Sequence, residues 1–117
     1  MGPIFQIYIT SDNSDLPQAL RSKTLSIKNR PDVENYNLFN GTELRSFIDA
    51  HFDRDVVNAY DQLKPYAYKA DLGRYCLLYH FGGWYFDIAI ELMRSITLPQ
   101  DSKGLLFLDI NLLLPYG

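Results

Sequence analysis

A helix-length segment that ends on a glycine pair and runs straight into an aromatic, β-branched stretch constrains this chain more than any other part of it. It is Pro65 to Phe81, then Gly82-Gly83, then Trp84-Tyr85-Phe86-Asp87-Ile88-Ala89-Ile90. Pro65 suits the first turn of a helix, where its missing N–H costs nothing, and the glycines stop the helix after Phe81. Tyr68, Leu72, Tyr75, Cys76 and Tyr79 follow the helical period and predict its buried face. Asp71 and Arg74, three residues apart, project from a neighbouring face and reach a common partner. Beyond the glycines, the residue types predict a strand through Ile90, with Asp87, Ala89 and Glu91 on one side of it by the period of two.

Chain arithmetic links the two elements. From Asp71 to Phe81 a helix climbs about 15 Å, and from Gly83 to Asp87 a strand returns about 13 Å. A tight turn at the glycines therefore brings Asp87 level with Asp71 and Arg74. The competing reading makes Asp71 and Arg74 a local ion pair on a wet face and lets Asp87 merely end the strand. An Asp inside an otherwise apolar run favours the ligand site, because charges are rarely buried unpaired.

The rest of the chain predicts an α/β layout. Ile4 to Thr10 reads as a strand, Ser11 to Asp15 as a polar loop, and Leu16, Leu20, Thr24 and Ile27 as one face of a helix ended by Asn29-Arg30-Pro31. Tyr36 to Phe39 is a second short strand. A helix follows from Thr42 to about Phe52 with Leu44, Phe47 and Ile48 apolar, and another from Asp53 through Val56, Val57 and Tyr60. Strands joined by such helices imply a mainly parallel sheet flanked by helices, with ligands beyond the carboxyl ends of the strands, where the loop after Thr10 and Asn40 fall. The apolar run Gly104 to Leu114 predicts a further buried strand. Its place next to the final Pro115-Tyr116-Gly117 predicts a partial domain and self-association through that strand.

Composition narrows the function classes. With 117 residues, 47% of them hydrophobic, the chain makes one small domain. A net charge of −3 gives no general attraction for nucleic acid or anionic membrane. No apolar run approaches the roughly 20 residues of a spanning helix, and Met1-Gly2-Pro3-Ile4 shows no basic region or cleavage site. The expected location is cytoplasmic, with a peripheral membrane position the second expectation. Cys76, the single cysteine, reads as a small core residue. His51 and His80 lack further ligands at zinc spacing, and His80 is expected near a helix end, where a cation is favoured. No nucleophile elbow or phosphate loop is present.

The order A-x-K-A-D-L-x-R-Y-x-x-L-Y-x-x-G-G-x-Y-x-D-x, Ala67 through Ile88, resembles the signature of glycosyltransferases with a DXD sugar-binding motif. That group is described as family 32 and is related to the glucosyltransferase domains of large clostridial toxins. More weakly, Ile4-Phe5-Gln6-Ile7-Tyr8-Ile9 is similar to the family's opening I-H-Q-I-W-I strand, as is Leu38-Phe39-Asn40 with the helix after it, so the likeness runs to about Ile96. It implies a GT-A-like fold, with residues 1–117 forming the N-terminal, donor nucleotide-binding half of a single glycosyltransferase domain.

The resemblance also implies roles. Asp71 and Arg74 correspond to the pair that contacts the donor sugar and its diphosphate, and Asp87 to the first Asp of DXD; these three would carry catalysis. Tyr8 occupies the place of an aromatic that stacks on the nucleobase, and Asn40 lies near a base-contacting position. Read without the family, Tyr8 is equally a core aromatic and Asn40 a cap for Gly41-Thr42-Glu43. A divalent cation, Mn²⁺ or Mg²⁺, is the family's cofactor, but its second carboxylate is replaced here by Ala89. Three outcomes stay open: neutralisation by Arg74 and Lys69 without metal, substitution by Glu91 beside Asp87 as a metal ligand, or lost activity. The implied function is retaining transfer from a nucleotide sugar, a UDP-sugar by analogy, to a saccharide or lipid-linked acceptor in cell-envelope polysaccharide synthesis. The alternative is an inactive nucleotide-sugar-binding fragment or structural remnant.

Overall fold

Among the described residues, four largely apolar tetrads build one sheet: β1 (Ile4–Ile7), β2 (Tyr36–Phe39), β3 (Gly83–Phe86) and β4 (Leu105–Leu108). The computed structural model describes residues 2–90 and 105–108. All adjacent strands run parallel, in the order β2-β1-β3-β4. A parallel sheet is covered on both faces, which is why β1 and β3 are buried at every position rather than at alternate ones. One crossover, α1 (Gln18–Lys28), joins β1 to β2; three helices, α2 (Gly41–His51), α3 (Arg54–Gln62) and α4 (Tyr66–Phe81), lie between β2 and β3.

The strand pleat divides the core in two. Ile4, Trp84 and Phe86 pack with Ile27 of α1 and with Ile90. Phe5, Ile7 and Tyr85 pack on the opposite side with Leu44, Ile48, Val57, Tyr60 and Leu77, contributed by α2, α3 and α4. The result is helix, sheet, helix, the α/β architecture expected of a GT-A-like fold.

Local chemistry sets the element ends. Asn40 closes a reciprocal capping box on α2: its side chain accepts from the Glu43 amide at 2.8 Å, and the Glu43 carboxylate accepts from the Asn40 amide at 2.9 Å. Asp53 caps α3 through the Val56 amide. Gly82 and Gly83 take φ of 69° and 91° after α4, a region that side chains disfavour. At Gly83 space is limiting too, since a Cβ there would overlap the Pro3 carbonyl oxygen. That oxygen accepts from the Trp84 amide at 2.8 Å.

Three expectations need correction. The strand after the glycines ends at Phe86, and Asp87 to Ile90 form a turn closed by the Ile90 amide donating to the Asp87 carbonyl at 3.0 Å. Asp87 and Ala89 therefore do not share a strand face, and Glu91 lies outside the described residues. β1 ends at Ile7 rather than Thr10, although the Tyr8 amide still bonds the Phe39 carbonyl. The face of α4 is also different: Gly73, Cys76, Leu77 and Leu78 are buried, while Tyr68, Tyr75 and Tyr79 are at least half exposed. An apolar residue occurs on nearly every side of this helix, so periodicity could not choose. The choice falls to Gly73, where the missing side chain lets Leu44 of α2 close in. Of the predicted Gly104 to Leu114 strand, β4 is the described part; the remainder lies outside the described residues, as does any pairing of it with another copy.

Candidate functional site

From β1 the chain crosses to β2 on one side, while β3 lies on the other. In such sheets the reversal of strand order leaves a crevice beyond the carboxyl ends of the two central strands. A cleft of about 250 Å³ sits there. Tyr8 enters it from the end of β1, Tyr85 from β3, Asp87 from the turn after β3, and Asp71 and Arg74 from α4. Four of the five site residues singled out from the sequence thus share one cavity. The fifth, Asn40, ends β2 on the same edge but spends its side chain on the α2 cap and does not line the cleft.

Asp71 and Arg74 form the local ion pair and also line the cleft. Arg74 Nη1 lies 3.4 Å from Asp71 Oδ1, an i,i+3 contact, with the Arg74 side chain 22% and the Asp71 side chain 52% exposed. Asp71 is therefore wetter than a core charge. Arg74 is held more firmly, its guanidinium 5.2 Å from the Tyr75 ring centre and 5.9 Å from that of Tyr85. Asp87 is fixed by its own turn: its Oδ1 accepts from the Ala89 amide at 3.0 Å.

Tyr85 registers the convergence electrostatically. Its hydroxyl is pushed above the ordinary tyrosine value chiefly by burial, then by the Asp87 charge, with Arg74 opposing and Asp71 adding. Sequence reasoning passed over Tyr85 as a cleft residue. Its position two before Asp87, on the same side of the strand expected from the sequence, was the available signal.

Lys69, considered from sequence as a charge neutraliser, is engaged elsewhere. Its ammonium donates to the Tyr60 carbonyl at 2.6 Å and lies 4.4 Å from the Tyr60 ring centre. Burial, the largest cause, lowers its pKa. It lines a second, shallower hollow of about 270 Å³ with Thr42, Arg45 and Asp61, adjoining the first at Ile9 and Tyr66. Arg45 there is forked onto Asp61, both contacts 2.8 Å.

A divalent cation would need hard oxygen ligands. Asp87 offers one carboxylate with one oxygen already accepting from the Ala89 amide, Asp71 is paired with Arg74, and Ala89 offers none. Among the described residues no cluster of three His, Cys, Asp or Glu side chains is assembled. This donor set does not hold a metal by itself. His51 and His80, unrelated in sequence, meet with ring centres 4.1 Å apart at the last turns of α2 and α4, far along those helices from the cleft. Cys76 is buried, and burial raises its thiol pKa, as a core residue requires.

A parallel α/β sheet with a charged cleft at its switch point defines a class of open α/β folds that take ligands beyond the strand ends. Within it, residues 5–105 match the family model described as the glycosyltransferase sugar-binding region containing a DXD motif, and the chain belongs to that family. Over 53 residues it is also 36% identical to an uncharacterized glycosyltransferase of Acanthamoeba polyphaga mimivirus; the match takes in 45% of this chain and 21% of the relative, so the chain spans about a fifth of that protein. No solved structure matches it. The family generally uses divalent cations. Among the described residues no helix is long and apolar enough to cross a membrane.

Proposed function

We propose that this chain binds a nucleoside-diphosphate sugar in the cleft between β1 and β3 and presents it for glycosyl transfer. The observation that carries the reading is the meeting of Tyr8, Asp71, Arg74 and Asp87 around one cavity. Tyr8 would stack on the base. Arg74 would answer the diphosphate with forked, charge-assisted hydrogen bonds. Asp71 would exchange its loose contact with Arg74 for sugar hydroxyls, while Asp87 would accept from ribose or sugar hydroxyls. An acceptor hydroxyl then attacks the anomeric carbon as the bond to the diphosphate breaks, its proton passing to the departing diphosphate oxygen, and Arg74 stabilises the negative charge that develops on that leaving group. Retention of configuration, a UDP donor and a saccharide or lipid-linked acceptor of a cell-envelope polysaccharide complete the proposal, on family resemblance alone.

Calorimetry with UDP-glucose, UDP-galactose and GDP-mannose tests the binding step: at least one donor should give heat, abolished by Asp71→Ala. Silence with all donors would sink it. A second reading, donor binding without turnover, is favoured by Ala89. Free UDP released on incubation with donor and Mn²⁺ separates the two, and Ala89→Asp should raise that release if a lost metal ligand is the defect.

A further inference from the structure

Gln6 is a fully buried polar side chain in the middle of an otherwise apolar strand. Such a group is costly to bury unless satisfied, and here both ends are. Its Nε2 donates to the Asp87 carbonyl at 3.1 Å, and its Oε1 accepts from the Tyr36 hydroxyl at 2.6 Å. The orientation is forced, because a carbonyl oxygen can only accept and so must face the amide nitrogen.

Location gives these bonds a purpose. The backbone ladder between β1 and β3 pairs Ile4 with Trp84 and Phe5 with Tyr85 and goes no further. Where the strands part to open the cleft, the Gln6 side chain takes over and spans the gap. It approaches from the sheet face opposite the cleft, the face of Ile4, Trp84 and Phe86. Asp87 is thereby held at its backbone by Gln6 and by the Ile90 amide, and at its carboxylate by the Ala89 amide. Ile90, wholly buried, anchors the far end of the turn.

We infer that Gln6, backed by Tyr36, is a positioning residue for Asp87: it locks the turn that aims this carboxylate into the cleft without touching any ligand. The inference rests on the donor-binding reading for its functional consequence, while the locking itself does not.

Amide hydrogen exchange on the full chain tests the lock. Gln6→Leu should speed exchange at Ala89 and Ile90 about tenfold beyond the change at core amides of β1. Ile48→Val, which disturbs the other core, serves as the stability control and should show no such local excess. Tyr36→Phe, which keeps the Gln6 to Asp87 bond but leaves Gln6 Oε1 unpaired, should act at the same two amides more weakly. It also serves if Gln6→Leu does not fold. Exchange at Ala89 and Ile90 that rises only in step with the rest of the sheet would overturn the inference.

Donor affinity supplies the second reading. Gln6→Leu should weaken binding of the UDP-sugar about tenfold, and should add nothing in an Asp87→Asn background. Additive losses would show that Gln6 acts independently of Asp87. If the wild-type chain binds no donor, the donor reading fails while the exchange result still decides the lock.

Discussion

Arg74 shows how one side chain can be both structurally settled and chemically available. It sits beside two tyrosine rings, and its 3.4 Å contact with the half-exposed Asp71 is loose enough for a ligand phosphate to displace. Arg74→Ala should therefore cost donor binding about 1.5–3 kcal/mol, roughly 10- to 100-fold, the size of a lost hydrogen bond to a charged group. Arg74→Lys should recover only part of it, because an ammonium keeps the charge and loses the fork; calorimetry on both variants checks this. Asp71 and Arg74 were legible from spacing alone, since i,i+3 residues on a helix have to meet. Tyr85 and Gln6 were not singled out, because an apolar strand gives no hint of which residue abuts a cleft or bridges a gap.

At the scale of elements, the capping box gives Asn40 a structural role. Asn40→Ala should lower stability by about 1 kcal/mol in urea unfolding, as for a lost N-cap, and leave donor affinity unchanged; a matching loss of affinity would restore the base-contacting role. Gly73 is the close-approach point of α4 on α2, and a methyl there would overlap the Leu44 side chain. Gly73→Ala gains helix propensity but should lose about 1–3 kcal/mol overall through overpacking, measurable in the same unfolding experiment. The start of α2 and both ends of α4 were readable because a capping residue, a proline and glycines act within a few positions of themselves. The buried face of α4 was not, because several faces of that helix carried enough apolar residues and a neighbouring helix had to decide between them.

For the whole molecule, buried and half-buried tyrosines link stability to alkaline pH. Burial pushes the Tyr36 hydroxyl from 10.0 up to about 12, with Thr24 partly opposing, and raises Tyr60 and Tyr85 as well. A raised folded-state value means the folded chain holds its proton more tightly. That stability is fully present below about pH 10 and is lost as pH climbs toward 12. Urea midpoints should be flat from neutral pH to about pH 9 and fall steeply above 10, less so in Tyr36→Phe. By itself the sequence determined the alternation of strands and helices, the turn at Gly82-Gly83 and the charged residues that follow from it, because these depend on dihedral preference and short spacings. Only the tertiary structure decided the strand order that opens the cleft between β1 and β3, the end of β3 at Phe86 and the part Gln6 plays behind Asp87. Those depend on contacts between residues as many as 81 positions apart, which close packing selects and local preference cannot encode.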